Sequence, residues 1–146
     1  MKNLISASLH RTILADFRTD SFTRRANSES LSYREVNETN TQKDHSTLFE
    51  GFTDVSSAFN LFVEEAIRVG SKTFSAEKTF DGVDYSCELE FSDGRTIELR
   101  LFCPELASDL ETKSLAKLLD NLFEIASQHC NKFQHDISVS SKRADE

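Results

Sequence analysis

Val83-Asp84-Tyr85-Ser86-Cys87-Glu88-Leu89-Glu90-Phe91, then Ser92-Asp93-Gly94-Arg95, then Thr96-Ile97-Glu98-Leu99-Arg100-Leu101: the fold is decided in this stretch. Apolar and polar residues alternate on both sides of a turn pair, as in two strands with one apolar face and one wet face. The pleat sends Tyr85, Cys87, Leu89 and Phe91 to one side with Ile97, Leu99 and Leu101. It sends Asp84, Glu88 and Glu90 to the other side with Glu98 and Arg100. Upstream, Phe74, Ala76, Lys78 and Phe80 alternate up to a second turn pair, Asp81-Gly82. A two-residue turn there pairs Phe80 with Val83, Ala76 with Cys87 and Phe74 with Leu89, apolar against apolar. The same turn at Asp93-Gly94 would set Phe91 against Thr96. A bulged three-residue turn over Asp93-Gly94-Arg95 is therefore expected, pairing Phe91 with Ile97, Leu89 with Leu99, Glu88 with Arg100 and Glu90 with Glu98.

Helical stripes flank this ribbon. Val55, Ala58, Phe59, Phe62, Val63, Ala66 and Ile67 recur at i, i+3, i+4 and i+7, predicting a helix from about Asp54 to Val69. Thr53 or Asp54 can cap its start and Gly70 its end. After Pro104, Ser108 and Glu111 have capping-box spacing. A stripe of Leu115, Leu118, Leu119, Leu122, Phe123, Ala126, Cys130 and Phe133 then carries a second helix to about Lys132. At ~1.5 Å per residue it spans nearly 40 Å, so its end overhangs the sheet and offers a surface for a homodimer or a partner. The expected fold is α+β: an α-β-β-β-α domain over residues 48–134, with a three-stranded antiparallel meander, both helices on one face and the other face exposed.

Outside that domain the signals are weaker. Leu4 or Ile5, Leu9, Ile13 and Phe17 have helical spacing, so residues 1–20 read as a short amphipathic helix or a signal-like segment. Residues 21–47 are rich in Ser, Thr, Asn and charge and read as a disordered polar linker, and 135–146 as a disordered tail.

The charge distribution narrows the partners. Residues 1–45 hold seven Lys/Arg against six Asp/Glu, whereas residues 46–135 hold eight against sixteen. An acidic folded part repels phosphate backbones and favours basic partners. Three cysteines, Cys87, Cys103 and Cys130, lack CxxC spacing and sit at apolar positions, as buried thiols of a reducing compartment do. No apolar run is long enough to span a membrane. The expected location is cytoplasmic, with targeting to an organelle or secretion as the alternative reading of the first twenty residues.

Motifs for chemistry are absent. Four glycines leave no GxGxxG and no phosphate-binding loop, and there is no GxSxG. His129 and His135 do not have the i, i+4 spacing that puts two ligands on one helix face, so neither a metal nor a cofactor is expected. Carboxylates on an open sheet face lack the cleft that separates acid from base. A non-enzyme is expected. Its partner-binding candidates are Asp84, Glu88, Glu90, Glu98 and Arg100, an acidic face for another protein with a basic or extended segment.

The order helix, three strands, helix resembles the double-stranded-RNA-binding domain. In that family a lysine cluster opens the second helix and touches phosphates. The matching stretch, Glu111-Thr112-Lys113-Ser114-Leu115-Ala116-Lys117, makes Lys113 and Lys117 the implied contacts. The chain departs from the family in its bare Asp81-Gly82 hairpin and in Asp109 and Glu111 ahead of the lysines. Size, acidity and layout also resemble the small secretion chaperones of bacterial type III systems, which imply a dimer holding extended segments. On charge alone the chain is similar to toxin-neutralising immunity proteins.

Overall fold

A computed structural model describes residues 3–16, 18–26, 30–37, 43–49, 51–76 and 82–144, with 16, 37, 43–48 and 131–144 placed as backbone. The chain folds into one mixed, mostly antiparallel sheet with two helices. Its strands are β1 (Leu4–Ile13), β2 (Arg18–Arg24), β3 (Ser32–Asn37) and β4 (Lys43–Leu48), then β5 (Lys72–Ser75), β6 (Val83–Phe91) and β7 (Thr96–Phe102). Helix α1 (Thr53–Val69) follows β4, and α2 (Leu110–Ala144) follows β7. The seven strands lie in the order β4-β3-β2-β1-β6-β7-β5.

The α+β class and the two helices agree with the sequence reading; the α-β-β-β-α order does not. Residues 4–13 are a strand, not a helix. Leu9 and Ile13 are four apart, a spacing that both a helix and a strand can place on one side, so it could not discriminate. Residues 21–47 are not a free linker, because β2, β3 and β4 pair through them in antiparallel register. Nor do the strands of residues 48–134 pair only among themselves, because β6 pairs with β1 along nearly its whole length, Leu9 facing Cys87 and Ala7 facing Leu89. The helix α2 continues through Ala144, past the expected end near Lys132 and into the expected tail.

The three later strands are not a meander. With β1 on one side of β6 and β7 on the other, residues 72–75 find no free edge on β6. They add to the outer edge of β7 instead, parallel to it, with Phe74 facing Leu101 rather than Leu89. The Asp81-Gly82 turn lies partly outside the described residues. The turn between β6 and β7 has three loop residues, as expected, but they are Ser92-Asp93-Gly94. Phe91 N–H donates to Arg95 O at 2.9 Å and Gly94 takes φ of +85°, the left-handed residue of a bulged three-residue loop. The register moves by two residues, so the apolar face is preserved while the charged pairs change. Leu89 now faces Ile97, Glu88 faces Glu98 and Ser86 faces Arg100.

Both helices cover one face of the sheet. Val55, Phe59 and Phe62 of α1 and Leu115, Leu119 and Phe123 of α2 close on Leu9, Phe22, Tyr33, Cys87, Leu89 and Leu99 in one continuous core. Among the described residues the stripes of both helices are thus buried as the periodicity predicts, with Ile67 and Leu118 only partly covered and Phe133 outside the described side chains. The caps differ. Among the described residues no side chain caps the start of α1, while Gly70 closes its end, φ +84°, donating to Ala66 O at 2.8 Å. Asp109, not Ser108, caps α2: its carboxylate accepts from Thr112 N–H at 3.0 Å and from the Thr112 hydroxyl at 2.7 Å. All three cysteines are buried thiols.

Candidate functional site: the open sheet face

The face away from the helices is formed by the alternate residues of every strand. On β6 and β7 it carries Glu88, Glu90, Glu98 and Arg100, all exposed, with Asp84 half-buried. The five candidates from the sequence therefore share one uncovered surface. Glu88 and Glu98 stand directly opposite one another. Such a like-charge pair is destabilising, by roughly 0.2–1 kcal/mol on the scale of cross-strand pairs. Among the described residues no cation is paired with either. Glu90 faces Thr96 and accepts from the Ser6 hydroxyl at 3.2 Å. Arg100 donates to Ser86 Oγ at 3.3 Å and not to Glu88. Burial pushes the Asp84 carboxyl above the usual carboxylate range, and the charge of Arg100 opposes that shift.

Strands β1 and β2 extend this face, and the sequence reading missed their part in it. Ser8 lies beside Glu88, so Ser8, Glu88 and Glu98 form one row across three strands. The next row along the strands runs Arg34, Ser21, His10, Ser86, Arg100. The middle of the sheet thus presents small hydroxyl side chains, Ser6, Ser8, Thr19 and Ser21, each half-buried although no element covers them. A low polar floor runs between an acidic bank on β6 and β7 and basic groups a row away.

Beneath the floor, on the covered side, lies an ion network that no sequence motif announced. Asp20 is fully buried and accepts from Arg11 Nε at 3.1 Å, Arg11 Nη2 at 2.6 Å and Arg18 Nε at 2.7 Å. Arg18 reaches on to Glu35 at 2.7 Å and to Ser127 of α2 at 3.0 Å, and the Tyr33 hydroxyl donates to the same Glu35 oxygen at 2.7 Å. Arg11 also meets Glu124 of α2 at 3.1 Å and lies 5.0 Å over the Phe123 ring. Burial alone would lower the Arg11 pKa, but the hydrogen bonds and charge of Asp20 outweigh it and raise it. Burial pushes the Tyr33 phenol up, and Asp20 and Glu35 push it further. Both groups therefore hold their protons, and the network docks α2 onto β1–β3 as fixed charge pairs.

Lys113 and Lys117 are not on the open face. They lie exposed on α2, beside a pocket on the helix-bearing side. His129 Nε2 contacts Asp54 Oδ2 at 2.6 Å and packs edge-on to Phe52, its ring centroid 4.8 Å away, which ties α2 to the start of α1. Burial pushes the Cys87 thiol up, away from the thiolate a nucleophile needs. Among the described residues no group of three or more His, Cys, Asp or Glu side chains is placed to hold a metal. No helix among them is long and apolar enough to cross a membrane. No protein-family model matches the chain, and neither a curated protein nor a solved structure is significantly similar to it.

Proposed function

We propose that this is a non-enzymatic binding module that docks a basic, extended protein segment across the open face of its sheet. One observation carries the reading: Glu88 and Glu98 face each other on an uncovered surface, with no cation of the molecule paired to them among the described residues. Their repulsion is relieved when a partner's Lys or Arg sits between them, so the partner's binding is favoured by strain already present in the free protein. Glu90, two residues along β6, adds a third carboxylate at the strand spacing that an extended chain presents on one side. The floor of serines and threonines beside them is low enough to admit a backbone and supplies hydroxyl groups to bond it.

The test is a titration with an arginine-rich peptide followed by anisotropy at low and high ionic strength. The triple variant E88K/E90K/E98K should lose binding at least tenfold and keep the thermal midpoint of the parent, and parental binding should weaken steeply with salt. Unchanged affinity in the folded triple variant would reject this face as the docking surface. Duplex RNA, whose phosphates meet the same carboxylates, should not bind at low salt. A low-salt shift removed by K113A/K117A would favour the nucleic-acid reading instead.

A further inference from the structure

Two serines of β1 face two glutamates of β6, and the two pairs differ. Ser6 faces Glu90, and its hydroxyl donates to that carboxylate at 3.2 Å. Ser8 faces Glu88, but its hydroxyl oxygen lies 3.0 Å from His10 Nε2 instead. Among the described residues no hydrogen bond joins Ser8 to Glu88. The difference lies in the imidazole, which two positions along the strand stands on the same side of the sheet as Ser8. His10 is exposed on the open face, with Ser21 of β2 and Ser86 of β6 directly opposite. Two carboxylates of β6, Asp84 and Glu88, are its diagonal neighbours, at the roughly 7–8 Å of such positions. Arg34 and Arg100 stand in its own row, each two strands away.

Imidazole is the side chain that changes charge between about pH 5 and pH 8. With its single proton on Nδ1, the ring accepts the Ser8 hydroxyl at Nε2, which turns the serine's only proton away from Glu88. With both nitrogens protonated, Nε2–H donates to Ser8 Oγ. The hydroxyl proton is then free to point at Glu88, as that of Ser6 points at Glu90. Protonation thus adds a positive charge beside the acidic bank and gives Glu88 a donor from its own chain. Both changes compete with a partner's Lys or Arg for the same carboxylate. We infer that His10 is a pH-dependent regulator of the docking face, which holds a basic segment near neutral pH and releases it as the pH falls. This rests on the docking role proposed above for Glu88 and Glu98.

The full chain is titrated with an arginine-rich peptide, whose charge does not change with pH, from pH 7.5 to pH 5.5 at constant ionic strength. The dissociation constant should rise at least threefold over that range. H10Q, neutral throughout, should keep the affinity of the parent at pH 7.5 and lose most of the dependence. H10K, charged throughout, should bind at every pH about as weakly as the parent does at pH 5.5. Asp84, whose carboxyl burial pushes up, is present in both variants, so any dependence of its own survives in H10Q and is subtracted. In the free protein the carboxyl carbon resonance of Glu88 should move further over this range in the parent than in H10Q. Peptide affinity that ignores pH in the parent, or a dependence as large in H10Q as in the parent, would overturn the regulator and leave the docking face standing. A parent that binds no peptide at any pH rejects the docking face, and the regulator falls with it.

Discussion

Asp20 accepts three guanidinium N–H bonds and has no exposed surface, while Arg11, its main partner, is 3% exposed. A buried pair of this kind contributes little net stability, because desolvation offsets the attraction, but losing one member strands the other in a low dielectric. D20A should therefore destabilise the protein by about 3–5 kcal/mol, read as a lower urea midpoint, with D20N between it and the parent. A loss below about 1 kcal/mol would mean that water reaches Arg11 and Arg18 readily. These same residues explain why the first three strands were illegible. Their buried inward positions, with Leu31 just ahead of β3, are Ala7, Leu9 and Arg11, then Asp20 and Phe22, then Leu31, Tyr33 and Glu35. Read by hydropathy, three of those eight break the alternation, and each break is a member of the ion network. The apolar period fails where charges are buried against one another, and nothing local to the sequence shows that they are. On β6 and β7 every inward residue is apolar or aromatic, and the strands, and with them the acidic candidates, could be read directly.

Element by element, what was legible is what is decided locally. The stripes of α1 and α2 are long and apolar, so burial followed from period alone. The start of α2 shows the limit of such reading: Ser108-x-x-Glu111 and Asp109-x-x-Thr112 overlap by one residue, and the structure uses the second. The hydrogen bond from the Thr112 hydroxyl, then that from Thr112 N–H, holds the Asp109 carboxyl at about 2, with Lys72 adding to the effect at 3.1 Å. Its folded pKa lies below the ordinary ~3.9. The unfolded chain therefore takes up the proton first, and the cap's contribution is present above about pH 4 and is lost as pH falls from there towards 2. Urea midpoints measured from pH 5 to pH 2 should fall less steeply in D109N than in the parent, and equal slopes would show that the carboxylate is not the cap. The position of β5 could not be read locally at all. Phe74 and Ala76 fit β6 as well as any partner, and only the occupation of that edge by β1 sends them to β7.

At the scale of the molecule, the sheet is shared between halves of the chain that the sequence seemed to separate. The strand β6 is flanked by β1 and β7, and Leu9, Phe22 and Tyr33 from the first half lie in the same core as Leu89, Leu99 and Phe123 from the second. Without residues 1–48, β6 becomes a long edge, and Cys87, Leu89 and Phe123 lose their neighbours on that side. A fragment of residues 49–146 should therefore show no cooperative urea transition and no dispersed amide spectrum, although its two helices keep their stripes. Residues 1–48 added as a separate chain should restore both signals, because the β1–β6 ladder joins positions nearly eighty residues apart and needs no covalent link of that length to form. A 49–146 fragment that unfolds cooperatively alone would establish it as a self-sufficient domain. The same experiment bears on function. The row Ser8, Glu88, Glu98 draws its serine from one half and its carboxylates from the other. Arginine-rich peptide should bind the reassembled pair with the affinity of the intact chain and the 49–146 fragment more weakly by at least tenfold, since neither half carries the whole docking face.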